Sequence, residues 1–298
     1  MIVATVTNAY PSTRSRRLRE RFFKALCVVA LLFVIGPSVW LIADVVIRAV
    51  PHWRWSVLTT VPVGVGGGLE NAVLGTLVIM VGVLLIAGTV GVLTGIHFAE
   101  LQRPRRNGKP GGNFLRTATE VMAGFPSIVL GYVGYVALCV GLHWGFSLLP
   151  ALIVLSIMVT PYIAKSTESA LRQVPTNYRE GAEALGMSTG YALRKVVIKS
   201  ALPGIVTGLL IALAIAVGET APLLYTAGIT NNLPSASLIH QPIAYLTYYV
   251  WTDYNQPIEA TQYLSYDAAL ILVVLVLVLL VSSRVLVNLT QRYAEGRR

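Results

Sequence analysis

The chain has 298 residues, of which 55% are hydrophobic and only 12% charged, and its mean hydropathy is +0.69. A soluble domain carries about twice that charged fraction. The net charge of +10 would suggest nucleic acid in a soluble chain, but uncharged apolar runs return along the sequence and define a polytopic membrane protein with no nucleic-acid partner.

In chain order, six runs are long enough to cross about 30 Å of hydrocarbon. They lie near residues 25–43, 72–99, 121–142, 147–164, 201–218 and 266–283. All are expected to be helices, because a spanning backbone must satisfy its own polar groups and these Val/Leu/Ile/Ala runs lack the alternation of a barrel strand. The expected organisation is a basic tail (1–24), a six-span domain (25–287) and a second basic tail (288–298). The second run, 71–99, is uncharged and dotted with Gly and Ala, which predicts a tilted or closely packed helix. The third and fourth are separated only by His143, Trp144, Gly145 and Phe146, the turn of a tight helical hairpin. Gly64, Gly66, Gly67 and Gly68 lack the strand of a dinucleotide fingerprint and are expected to form an outer turn.

Lys and Arg set the orientation. The N-terminal tail, the loop after the second run, the segment after the fourth and the C-terminal end hold all but Arg48 and Arg54 of the 23 cations. The positive-inside rule then places both termini in the cytoplasm, embedded in a plasma-membrane bilayer, with an even number of spans. Ser15, Arg16 and Arg17 resemble the start of a twin-arginine signal, but no A-x-A-like site closes the following run, and a cytoplasmic flank is expected. Cys27 and Cys139 fall within apolar runs and act there as small hydrophobes.

No enzyme constellation is present: no phosphate loop, no H-E-x-x-H, no C-x-x-C and no G-x-S-x-G, so neither a catalytic centre nor a metal site is expected. Uphill transport would then need an ion gradient or a separate ATPase. The informative polar stretch is 170–204. Pro175 interrupts a helix, Asn177 with Glu180 reads as a capping box, and Gly186 supplies a left-handed stop. Tyr178, Ala182 and Leu185 share one face, and Arg179 with Glu183 makes an i, i+4 pair on another. Such a helix either docks a partner protein or serves as a connector packed on its own bundle.

Glu219 stands at the end of a long uncharged run, where an ionisable group snorkels to water or faces a polar cavity. Its carboxylate could accept a hydrogen bond from a protonated substrate in such a cavity while Thr220, Ser127 and helix N-termini donate; alternatively it caps a broken helix before Pro222. Asn71, Thr76 and Tyr225 are candidates for the same pathway or for ordinary interhelical hydrogen bonds. Glu120 and Asp267 are expected at the membrane interfaces. The segment 221–265 lacks Lys and Arg and is rich in Tyr, as a docking surface or gate would be.

Glu180, Gly181, Ala182, three residues, Gly186 and then Leu202, Pro203, Gly204 resemble the EAA loop of ABC-importer permease subunits. In that family the loop is a coupling helix that docks on the ATPase. The resemblance therefore implies a type I importer permease fold and an ATPase-coupling set of Tyr178, Arg179, Glu180, Gly181, Ala182, Glu183, Leu185 and Gly186. The run Gly218, Glu219, Thr220, Ala221, Pro222, Leu223, Leu224 is similar to the PstA-type branch of phosphate importers. So are Gly67, Gly68, Asn71, Ala72, Gly75, Thr76 and the stretch Gly124 to Gly131, and the likeness covers about 67–284. Three positions depart from the pattern: Gly181 for the usual Ala, Lys199 where Pro is frequent, and Ile215 where many members carry Arg. The resemblance implies no cofactor in this chain, with ATP and Mg held by two copies of an ATPase subunit. It also implies a PstC-type second permease, an extracytoplasmic phosphate-binding protein, and inorganic phosphate as substrate. A permease for another oxyanion and an ion-coupled secondary transporter are the alternatives; the latter would show inverted repeats and several mid-span charges.

Overall fold

The computed structural model describes residues 13–64, 66–101 and 113–295. It divides after Arg48 into two units. The first is built on helix α1 (Thr13–Ala49), 37 residues long with Pro37 inside it.

The second unit opens with two short 3-10 turns, Val50–His52 and Trp55–Leu58, followed by a hairpin of two-residue strands, β1 (Pro62–Val63) against β2 (Gly66–Gly67), in antiparallel register. Gly64 and Gly67 adopt positive φ there, +60° and +100°, and a side chain on Gly67 would strike the Val61 carbonyl. The glycine cluster is thus a turn, as expected. Helix α2 (Glu70–Ile96) follows and runs on into a wider π-type turn over His97–Leu101.

The third apolar run is not one straight span. It forms α3 (Asn113–Ala123) and α4 (Ser127–Gly134), bent by 102° at Gly124-Phe125-Pro126. Pro126 has no N–H to donate and disfavours helix at Phe125, so the backbone extends for one residue and restarts. After a π-type segment, Tyr135–Gly141, the chain reverses through His143 and Gly145, at φ 58° and 64°, and enters α5 (Leu148–Arg172). The helical hairpin expected from the four-residue turn is present.

Beyond α5 come α6 (Thr176–Ala184) and α7 (Thr189–Ala192), then a π-type turn leading into α8 (Ile198–Gly218). A short α9 (Ala221–Thr226), α10 (Leu246–Asp253) and the 37-residue α11 (Glu259–Glu295) complete the chain. Five of the described helices are long and apolar enough to span a membrane, and the broken α3–α4 pair makes six.

Helix α5 is the hub. Its residues Leu148, Leu152, Leu155, Val159 and Ile163 form the main core with Ile79, Val83 and Ala87 of α2 and Ala212, Leu213 and Ala216 of α8. Glycine makes the approach possible: a Cβ on Gly82 would meet Leu152, on Gly91 Ile163 and on Gly95 Thr167, each at 2.7 Å or less. Contact numbers rise together along α2 and α5, so those helices run parallel. On the other flank Gly204 meets Ala170 and Gly208 meets Ser166, so α8 runs antiparallel to α5. In a bilayer without a hydrophobic drive between helices, this small-residue contact is how van der Waals packing is maximised.

Candidate functional site

The helical breaks meet at one place. Ser127 is the first residue of α4, just after the Pro126 break, and Glu219 is the residue at which α8 gives way to α9. The Ser127 hydroxyl is a near neighbour of the Glu219 carboxylate. From a third direction, Thr247 at the start of α10 donates its hydroxyl to the Glu219 backbone carbonyl at 3.0 Å. Glycine again sets the approach, since a Cβ on Gly131 of α4 would lie 2.8 Å from the Pro222 Cα of α9. Ser127, Glu219 and Thr220 are all half-buried. Thr220 is the residue capping α9, and its side chain makes no cap hydrogen bond. Tyr225 is half-buried and sets its ring edge-on to Tyr132, with centroids 6.1 Å apart.

Asn71 and Thr76 tie α2 to the segment leading to α10, and Thr76 stands beside this site, sharing a small cavity with Thr247. Asn71 is fully buried and donates to the Thr230 carbonyl at 2.7 Å and to the Tyr249 hydroxyl at 3.1 Å. Thr76 accepts the Leu246 N–H at 3.0 Å. These are the interhelical bonds that formed the other reading of both residues. Asp267, expected at a membrane interface, lies near the start of α11, is 3% exposed and lines a cavity with His52, Arg54 and Tyr263. Burial against α10 and the β1–β2 turn explains why a charge near a helix start is not at the surface.

The α6 region corrects three expectations. The helix begins at Thr176 after Pro175 with no side-chain cap, so Asn177 and Glu180 lie inside it and form no capping box. Arg179 does not pair with Glu183. It reaches instead to Glu100 at the end of α2, with two hydrogen bonds of 2.7 Å, both side chains largely buried. A buried bidentate pair outcompetes a solvated i, i+4 contact worth a few tenths of a kcal/mol, about 0.2–0.5. Tyr178, Ala182 and Leu185 do not share a free face either: Ala182 is 4% exposed and packs inward, while Tyr178 and Leu185 are 52% and 77% exposed. Glu180, Gly181 and Glu183 also face outward, and Gly186 stops the helix at φ +73° as expected.

A second ionic cluster, missed in the sequence, lies on α5. Glu168 accepts from Arg116 of α3 at 2.7 Å and from Arg172 at 2.8 Å, and Arg116 stacks over Phe98. The signal was there: a carboxylate four residues before an arginine at the end of a span. Its partner Arg116, 52 positions earlier, was visible only as one of many loop cations. Among the described residues no group of three His, Cys, Asp or Glu side chains comes together as a metal site would require.

Comparison with known proteins gives this geometry its context. Residues 87–295 match the family described as binding-protein-dependent transport system inner membrane component. A phosphate transport system permease protein, PstA 2, of Mycobacterium tuberculosis is 54% identical over 277 residues, covering 93% of this chain and 90% of the relative. A PstA of Xylella fastidiosa is 32% identical over 283 residues, covering 92% and 96%. In structure, a chain of the inward-facing MetNI methionine ABC transporter superposes with a TM-score of 0.54 at 22% identity, covering 78% of this chain and 96% of that one. The last likeness concerns the fold, and it is the fold of an importer permease. The chain belongs to the binding-protein-dependent transport system inner-membrane components, as a PstA-type permease.

Proposed function

We propose that this chain is the transmembrane subunit through which an ATP-driven importer moves inorganic phosphate across the plasma membrane. The observation that carries the reading is the Ser127–Glu219 contact inside the Gly218-to-Leu224 break, in a chain 54% identical to a named phosphate permease. A protonated phosphate both donates and accepts hydrogen bonds, whereas sulfate at neutral pH only accepts. Glu219 accepts from the phosphate proton, and Ser127 and Thr220 donate to its other oxygens. A site built around an acceptor rejects the analogue that has no proton to give, because the carboxylate would be left unpaired against an anion.

Coupling runs through α6. Its exposed face, Tyr178, Glu180, Gly181, Glu183, Leu185 and Gly186, docks on an ATPase subunit. Arg179 ties the helix to α2 through Glu100, and Ala182 seats it on its own bundle. When two ATPase copies close on ATP and Mg, they pull α6, and the ion pair passes that movement to α2 and hence to α5. A homologous PstC-type permease completes the pathway and supplies the cation that Ile215 does not. An extracytoplasmic phosphate-binding protein delivers the substrate. Both termini lie in the cytoplasm, which the concentration of Lys and Arg in the tails and alternate loops supports.

The test is uptake of labelled phosphate by the assembled complex in vesicles. Phosphate should enter only with ATP inside and should resist excess sulfate. Equal competition by sulfate would assign another oxyanion, and uptake driven by an ion gradient without the ATPase would assign a secondary transporter.

A further inference from the structure

Lys165 lies within α5, a helix apolar enough to span the membrane. An ionisable side chain there is costly unless it faces water or serves a site. It is exposed, and it opens on a cavity of about 510 Å³ lined also by Tyr162, Ser166, Ser169 and Gln173 of the same helix. These positions fall at i, i+3, i+4, i+7 and i+11, so one face of α5 presents a phenol, an ammonium, two hydroxyls and a carboxamide. Small residues form the opposite walls: Ala123 at the end of α3 and Gly204 on α8. Glu120 and Glu168 share a smaller neighbouring cavity with Lys165. Glu168 is already held by two arginines, and among the described residues no ion pair engages Lys165.

We propose that this groove is a second holding site for inorganic phosphate, on the α6 side of the Glu219 break. The inference rests on the transport reading above and deepens it. Lys165 supplies the positive charge, and Ser166 and the Gln173 amide donate to the oxygens, while Ser169 accepts a hydrogen bond from Gln173 at 3.2 Å and only lines the groove. Ala123 on the groove wall is four residues before Ser127, a reach of at most about 14 Å of chain, so the groove adjoins the Glu219 site. The two sites divide the work by chemistry. Glu219 recognises the phosphate proton, and Lys165 holds the negative charge. The Lys165 site therefore accepts sulfate as well as phosphate, and discrimination belongs to Glu219.

The experiment uses the assembled complex with Cys27 and Cys139 replaced by Ala and Ser169→Cys as a reporter inside the groove. An anionic methanethiosulfonate should label this cysteine several-fold faster with Lys165 present than in Lys165→Gln, while a neutral reagent of similar size labels both equally. Millimolar phosphate or sulfate should slow the anionic reagent in the Lys165 protein, and not in the Gln variant; Lys165→Arg should restore both effects. Anionic labelling unaffected by Lys165, or unaffected by phosphate, overturns the site. Protection that needs anionic lipid in the vesicle and none from free phosphate also overturns it, assigning the groove to a lipid headgroup. Phosphate uptake by the unaltered complex is measured alongside, so that failure of transport is separated from failure of the groove.

Discussion

Helix α8 ends at Glu219 where a continuous span would carry on, and the proposed function makes the carboxylate left at that break responsible for choosing the cargo. Glu219→Gln keeps the size and one acceptor but adds donors. Phosphate uptake should fall and sulfate should begin to compete, with the melting temperature of the complex little changed. A less stable complex that still transports selectively would make Glu219 a helix-break residue instead. Asp253, at the end of α10 on the other side of the Tyr-rich segment, makes a separate prediction. Burial pushes its carboxyl above the usual carboxylate range, against a weaker opposing hydrogen bond from Thr252. The folded state holds the proton more tightly than the unfolded chain, so stability falls as pH rises from the ordinary carboxylate range through the raised value. Asp253→Asn should therefore raise the melting temperature at neutral pH, and the gain should vanish in acid. Melting curves at both pH values check this; no gain at neutral pH would count against the buried carboxylate.

Among elements, α6 is divided between an inward face packed on its own bundle and an outward face that the proposed function assigns to an ATPase. Ala182 and Arg179 are spent inward, on packing and on the Glu100 pair. Removing one partner of such a buried pair costs about 3–5 kcal/mol, since the other charge is left without compensation. The outward side chains are therefore the informative targets for docking. Leu185→Asp, at 77% exposed, should leave the permease folded while abolishing its co-purification with the ATPase and the transport it drives. Retained association with full coupling would remove α6 from the interface. Ala182→Asp is a different experiment, because a charge at a 4% exposed position disturbs the bundle before it reaches any partner.

Across the whole molecule, glycine contacts determine how the spans alternate. Gly82, Gly91 and Gly95 align α2 parallel to α5, and Gly204 and Gly208 align α8 against it. That order is what successive crossings of one membrane require, once the broken α3–α4 pair is taken as a crossing between α2 and α5. The loop charges then choose the side. Cysteine labels at positions 110 and 190 should be reached only from the cytoplasm, and labels at 60, 145 and 255 only from outside. One reversed site breaks the six-span arrangement.

Hydropathy and charge were enough to read the spans, the turn at Gly145, the helix stop at Gly186 and the family, because each depends on local composition or on a contiguous motif. Even Ser127 and Glu219, 92 positions apart, were legible as candidates, since a polar group beside a helix-breaking proline or at the end of an apolar run is costly and stands out. What they do to each other was not legible. Folding the third run by 102° at Pro126 is what carries Ser127 to Glu219, and a window of apolar residues reads the same whether the helix is straight or broken. The same limit hid Glu100 from Arg179, 79 positions apart, and Arg116 from Glu168, 52 apart. An ion pair between distant segments leaves no periodicity in the sequence, so local spacing favoured Glu183 for Arg179. Only the packing of α2, α3 and α6 around α5 decided which carboxylate each arginine meets, and which face of α6 was left exposed.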